Sequence, residues 1–127
     1  MNLPLNDFAI FGSGPMFAHG LKKQLRDIDV IARGKAWENA LNHKDKEKVW
    51  SNGTVINFYG QGIQVVRTWM YGGNFKTDEL IDNADVVEGI RFVKLECVLA
   101  YKREMGRLKD KRHIKVIEKY LNGVRQI

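Results

Sequence analysis

The stretch Phe8-Ala-Ile-Phe-Gly-Ser-Gly-Pro15, answered by Arg26-Asp-Ile-Asp-Val30, decides how this chain is expected to fold. Phe8 to Phe11 is apolar without strict alternation, as in a strand buried on both faces. Gly12-Ser13-Gly14 permits a sharp turn and a close backbone approach. Pro15 suits the first position of a helix, where its missing N–H costs nothing. The second piece reads as another strand, Asp27 to Ile31. Residues i and i+2 of a strand share a face, so Asp27 and Asp29 point together while Ile28 and Val30 point into a core. Two carboxylates side by side repel unless positive charge lies between them. A divalent cation is the natural guess, with a phosphate group over the glycine turn.

The chain has 127 residues, 44% of them hydrophobic, which favours one domain with one core spanning 1–127. No apolar run approaches the roughly 20 residues that span a bilayer. Met1-Asn-Leu-Pro-Leu-Asn-Asp7 lacks a basic segment followed by a long apolar block, so no secretion signal is expected. The single cysteine, Cys97, lies in an apolar helical pattern and reads as a structural thiol. These features together predict a cytoplasmic protein with no membrane partner. The net charge of +6 favours polyanions as ligands but carries no information about fold.

Beyond the opening, residues 15 to 24 read as a helix with Met16, Leu21 and Phe17 inward, and Lys35 to His43 as a second with Trp37, Ala40 and Leu41 on one face. Lys44 to Lys48 reads as a solvated charge run. Thr54 to Tyr59 and Ile63 to Trp69 form a hairpin across Gly60-Gln61-Gly62. Met70 to Lys76 is a loop, and Thr77 an N-cap for a helix through Leu80, Ile81 and Ala84. Val86 to Val93, split by Gly89, is a strand or small hairpin. Leu95, Val98, Leu99 and Met105 share a helical face that ends at Gly106. Asp110 caps a last helix with Ile114, Ile117 and Leu121 inward and Gly123 beyond its end. The predicted class is α+β, a mixed β-sheet flanked by helices with a helical C-terminus.

The ordered combination of apolar strand, Gly-Ser turn, helix and Asp-x-Asp strand resembles the signature of the nucleotidyltransferase superfamily with the DNA polymerase β-like fold. Val87-Glu-Gly-Ile-Arg-Phe-Val93, Leu95, Tyr101-Lys102 and Gly106-Arg-Leu-Lys-Asp110 resemble the C-terminal half of small stand-alone members, the group that includes the AbiEii-type toxins of toxin–antitoxin systems. The resemblance implies a nucleotidyltransferase fold and an Mg²⁺- or Mn²⁺-dependent transfer of a nucleoside monophosphate from a nucleoside triphosphate to an RNA (a tRNA 3′ end, for example), a protein or a small molecule. It implies Asp27 and Asp29 as catalytic metal ligands, and Gly12 and Ser13 as phosphate contacts. It puts Lys102, Arg107, Lys109 and Asp110 on the nucleotide or acceptor side. The basic tail, Lys102, Arg103, Arg107, Lys109, Lys111, Arg112 and Lys115, suits a nucleic-acid acceptor or is simply a solvated helix face. Lys109-Asp110 reads equally well as a structural ion pair and helix cap.

Two departures stand out. The strand that should carry a third carboxylate, Ile63-Gln-Val-Val66, carries Gln64, which offers a carbonyl oxygen but no charge and no base. Glu88 can replace it only if its strand runs beside Asp29. The tail has His113 where an acid is usual. The alternative reading is therefore a catalytically decayed module of the same fold that binds nucleotide, RNA or a protein partner. Other phosphate or metal motifs fit poorly. Phe17 stands where a dinucleotide-binding loop needs its third glycine, no Gly-Lys-Ser/Thr is present, and His19, His43, His113 and Cys97 lack ligand spacing.

Overall fold

The computed structural model describes residues 3–50, 53–69 and 74–125. Seven strands form one mixed sheet: β1 (Phe8–Phe11), β2 (Ile28–Ala32), β3 (Lys48–Trp50), β4 (Val55–Phe58), β5 (Ile63–Val66), β6 (Asp85–Val87) and β7 (Ile90–Phe92). Their spatial order is β3-β4-β5-β2-β1-β7-β6. β1 pairs antiparallel with β2 on one side and parallel with β7 on the other, and β2 pairs parallel with β5. The helices are α1 (Gly14–Ala18), α2 (Gly34–Leu41), α3 (Thr77–Asp82), α4 (Leu95–Met105) and α5 (Leu108–Arg125). The chain is thus α+β, with helices flanking a mixed sheet and a helical C-terminus. Among the described residues, no helix is long and apolar enough to cross a membrane.

Both faces of the sheet are covered, which is why β1 reads as an unbroken apolar run. One face sets Ala9, Phe11, Ile31, Val55 and Val66 against Met16, Trp69, Leu80, Ile81, Val98, Tyr101 and Ile117. The other sets Phe8, Val30, Ala32, Ile56, Phe58 and Val65 against Ala36, Trp37 and Ala40 of α2. Phe11 meets Trp69 and Tyr101 edge-on, with ring centroids 5.4 and 5.9 Å away. Such contacts fix the α4 end of this core more tightly than area burial alone. On the rim, the Arg33 guanidinium donates to Asp78 at 2.9 Å and Asp82 at 2.6 Å, tying α3 to the end of β2.

Several elements differ from the sequence expectation. The first helix ends at Ala18 because Gly20, at φ +76°, turns the chain, and the Leu21 N–H donates back to the Met16 carbonyl at 2.8 Å. This is a glycine-terminated helix end, and it leaves Phe17 exposed at 45%. Thr77 lies inside α3 rather than capping it, and its hydroxyl donates to the Arg67 carbonyl at 2.7 Å. Lys48 to Trp50 adds an edge strand that charge patterning hid; the Lys48 ammonium sits 3.6 Å from the centre of the exposed Trp50 ring. Of the strand or small hairpin expected over Val86 to Val93, the chain forms the hairpin, β6 to β7 over residues 85–92, with positive φ at both Glu88 and Gly89. Gly106, at φ +59°, ends α4 as expected, but Met105 beside it is exposed. Gly123 lies within α5 and does not end it. The 70–73 part of the expected loop lies outside the described residues.

Ile117 of α5 is fully buried in the apolar core that the helix shares with β1 and α4. Ile117→Ala is expected to lower unfolding free energy by about 2–5 kcal/mol. A lowered urea midpoint at unchanged slope would show it, whereas a midpoint equal to wild type would mean that α5 does not contribute to this core.

Candidate active site

At the end of β1 the chain enters Gly12, which has φ +66°. Phe11 is paired with Asp29 across the β1–β2 ladder. A Cβ on Gly12 would collide with the Asp29 carboxylate. Glycine therefore serves twice here, by allowing the left-handed backbone and by letting the turn lie directly on the acid. Gly14 has a similar constraint, since a Cβ there would meet the Ile10 side chain. α1 has only five residues and Ser13 makes no side-chain cap to it. So short a helix adds little dipole, and the turn itself offers the nearby backbone groups.

Asp29, Gln64 and Asn57 form a row across β2, β5 and β4, each directly opposite the next. The strand bearing Gln64 is thus the neighbour of the Asp29 strand. The Gln64 amide donates to the Asn57 side-chain oxygen at 3.0 Å. Asp27 stands just before β2 and is exposed. Burial pushes the Asp29 carboxyl above its ordinary range, and the nearby Asp27 charge pushes the same way, while Lys102, Arg107 and Lys109 oppose them. Glu88 lies elsewhere. β7 runs parallel to β1, with Phe92 beside Ile10, so the hairpin tip before it lies at the opposite end of the sheet. The neighbours of β2 are β1 and β5, and Glu88 is next to neither Asp29 nor Gln64.

Above the turn, α4 and α5 supply a basic wall. Lys102 is 1% exposed. Its ammonium donates to the Ser13 hydroxyl at 3.3 Å, meets His113 Nδ1 at 3.0 Å and lies 3.6 Å from Asp110 Oδ1. An ammonium has only donors, so His113 Nδ1 accepts. Burial lowers the Lys102 pKa to about 8, against the pull of Asp110, so the group remains charged at neutral pH. Burial, then the Lys102 charge, lowers the His113 pKa to about 4, which keeps the ring neutral. Asp110 is fully buried and takes both Arg107 Nε, at 2.6 Å, and Arg107 Nη2, at 3.1 Å. Its Oδ2 also accepts the Arg107 backbone N–H at 3.1 Å, which caps the start of α5. Of the two sequence readings of Asp110, the geometry favours the ion pair and cap.

Between wall and turn lies a cleft of about 740 Å³, lined among others by Gly12, Ser13, Asp27, Asp29, Gln64, Lys102, Arg107 and Lys109. The structure thus brings Gly12, Ser13, Asp27, Asp29, Gln64, Lys102, Arg107 and Lys109 to one cleft, whereas Asp110 is buried behind it and Glu88 lies at the far end of the sheet. Lys22, Lys23, Arg26, Arg112 and His113 also line the cleft. The sequence reading assigned Lys22, Lys23 and Arg26 no place here, because loop cations carry no periodic signal; Arg112 stood in the basic tail and His113 at the departure within it. Asn57 had a usable signal. In a hairpin across Tyr59 to Gly62, equal steps back from the turn pair it with Gln64.

Asp27, Asp29 and Gln64, which line the cleft together, each carry hard oxygen donors. Among the described residues, no three His, Cys, Asp or Glu gather into a metal-binding group. Two carboxylates and an amide oxygen suit one cation such as Mg²⁺, which commonly takes one or two carboxylates and completes its shell with water and phosphate oxygens. They do not suit a carboxylate-bridged pair of metals. The chain matches no protein-family model, no curated protein and no solved structure.

His113 yields a pH prediction. Its folded pKa of about 4 lies below its ordinary 6.5, so the unfolded chain binds the extra proton between those values. Stability from the neutral ring is present above pH 6.5 and is lost as pH falls towards 4. The wild-type urea midpoint should fall over this window more steeply than that of His113→Gln. Parallel curves would contradict the buried neutral imidazole.

Proposed function

We propose that the protein is a nucleotidyltransferase of the DNA polymerase β-like fold that uses Mg²⁺ to move a nucleoside monophosphate from a nucleoside triphosphate to an acceptor hydroxyl. The observation that supports it best is the Gly12-Ser13 turn lying on Asp29 with the buried Lys102 ammonium behind Ser13. This puts a carboxylate pair and a fixed cation on either side of one tight turn, the arrangement a metal-bound polyphosphate needs. In this reading Asp27 and Asp29 hold the cation, with Gln64 Oε1 beside them. The cation, when bound, neutralises charge on the triphosphate and orients its α-phosphate. Ser13, the turn's backbone and Lys102 hold the phosphates from the other side, and Arg107 and Lys109 take their outer oxygens.

The acceptor oxygen forms the new bond to the α-phosphorus, the bond to the β-phosphate oxygen breaks, and pyrophosphate leaves. Gln64 has no basic group, so Asp27 and Asp29 are the carboxylates left to receive the acceptor's proton. The excess of cations over acids around the cleft suits an acceptor that carries phosphates, an RNA 3′ end among them. One observation favours the second reading, a decayed module. The place of a third carboxylate is filled by a hydrogen-bonded amide pair, Gln64 and Asn57.

The test is transfer of label from α-labelled nucleoside triphosphates, with Mg²⁺ or Mn²⁺, to total RNA or cell extract. Transfer is expected from wild type and should fall to background in Asp27→Ala/Asp29→Ala. Transfer that survives in the double variant removes these acids from the chemistry. Triphosphate binding without transfer under any condition selects the module.

A further inference from the structure

A second, smaller concavity of about 240 Å³ adjoins the acid pair and is lined by Asp27, Asp29, Asn57, Tyr59, Gly62, Ile63 and Gln64. No lysine or arginine lines it. On this side, among the described residues, the charge of the two carboxylates has no lining side-chain cation to answer it, and the other polar side chains of the lining are the amide pair and Tyr59. We propose that Asn57 is a positioning residue: it holds the Gln64 N–H₂ and so turns the Gln64 carbonyl oxygen towards Asp29 as the third protein ligand for a divalent cation. This rests on the cation-dependent reading of the cleft.

The argument begins with the ambivalence of a primary amide. One end donates and the other accepts, at nearly equal size. Left free beside Asp29, Gln64 would present its N–H₂, since a hydrogen bond to a carboxylate is roughly twice as strong as one between neutral groups. That orientation partly satisfies the acid and puts a donor where a cation needs an oxygen. Asn57 competes for the same N–H₂ from the opposite side. It pairs with Gln64 on β4 while Asp29 pairs with Gln64 on β2, so the three side chains share one face with Gln64 in the middle. The Gln64 amide donates to Asn57 Oδ1 at 3.0 Å. The nitrogen and oxygen of an amide diverge from their shared carbon, so in this proposal Nε2 held on the β4 side leaves Oε1 for the Asp29 side.

Asn57 is well placed to hold that orientation. It is 5% exposed, and its chain neighbours Ile56 and Phe58 are fully buried on the other face of the sheet. Its backbone is held as well, because its carbonyl accepts the Glu47 N–H at 2.9 Å. A buried side-chain oxygen that gave up the Gln64 donor would stand unpaired, which costs more than the bond itself contributes. Oxygen therefore faces oxygen across the gap between Gln64 and Asp29. That contact is unfavourable alone and favourable around a cation.

The experiment is Mn²⁺ titration of the full chain, followed by electron paramagnetic resonance without nucleotide, with a urea midpoint for every variant. Asn57→Leu should weaken Mn²⁺ binding about 10–100-fold, the usual effect of losing a group that orients a ligand. Gln64→Leu should weaken it as much, and the double variant no further. Asn57→Asp, which keeps an acceptor for the Gln64 N–H₂, should bind at wild-type strength or tighter. A purely structural Asn57 would lower the midpoint and leave Mn²⁺ affinity alone, which overturns the proposal. So does weakened binding in Gln64→Leu with wild-type binding in Asn57→Leu, or equal losses in Asn57→Asp and Asn57→Leu. If wild type binds no more Mn²⁺ than Asp27→Ala/Asp29→Ala, the cation-dependent reading itself fails. The outcomes confined to residues 57 and 64 leave that reading intact.

Discussion

No side chain fits between Gly12 and the Asp29 carboxylate, and the working end of the sheet follows from that closeness. The antiparallel ladder brings Phe11 opposite Asp29, so the next residue must turn the chain over the acid. A left-handed glycine does this at little conformational cost, where any other residue would be strained and would also collide. Since β5 pairs with β2 in parallel, the same register places Gln64 beside the acid, and the β4–β5 hairpin places Asn57 beside Gln64. Three adjoining ladders thus set a turn, an acid and two amides side by side in fixed order.

The wall opposite this row is held by buried charge. Lys102 and Asp110 are almost without solvent contact, and desolvating two charges costs several kcal/mol each before their attraction and hydrogen bonds offset it. Apolar residues of similar size would hold α4 to α5 as well or better. What the ion pair adds is direction. Asp110 also binds Arg107 by both guanidinium edges and caps α5 through the Arg107 N–H. It leaves the Lys102 ammonium aimed at Ser13 and the neutral ring of His113. A cation held this way need not lose side-chain freedom when an anion arrives, and this preorganisation accounts for placing charge where stability alone would not.

How much of this was legible in the sequence depended on how local the signal was. The Gly12 turn, a strand through Asp29 (beginning at Ile28 rather than Asp27), a strand from Ile63 (ending at Val66 rather than Trp69) and the stop at Gly106 all rest on backbone chemistry or period-2 patterning, and all appear. Phe17 misled because helical spacing cannot reveal that Gly20 ends the helix within two residues of Ala18. Met105 misled in a similar way, lying at the very end of α4 where the helix leaves the core. Lys48 to Trp50 was hidden because an edge strand with both faces exposed has no buried half to leave a pattern. Glu88 shows the deeper limit. Its strand neighbour depends on which edge of the sheet a short hairpin joins, and no local feature of Val87 to Val93 records that choice.

Gln64 reads differently once its neighbours are known. Viewed alone, an amide in place of a carboxylate is a loss of charge and of a base. Viewed in the row, it is one member of a pair, and the pair matters because Asn57 is buried and chemically specific. A merely decayed position has no need of a partner, and an apolar residue at 57 would ask for none. Keeping a polar group there has a desolvation cost that is offset only if its hydrogen bond is made. The amide pair makes that bond, and in making it decides which end of Gln64 meets the acids. An oxygen so presented can complete the shell of one cation but cannot bridge two or accept a proton. In the proposed reading Gln64 therefore separates two roles that a third carboxylate combines: it would keep ligation and give up general-base chemistry. A site built this way would favour an acceptor whose own oxygen is already a good nucleophile, because the protein offers it position and a neutralised phosphate rather than a dedicated base.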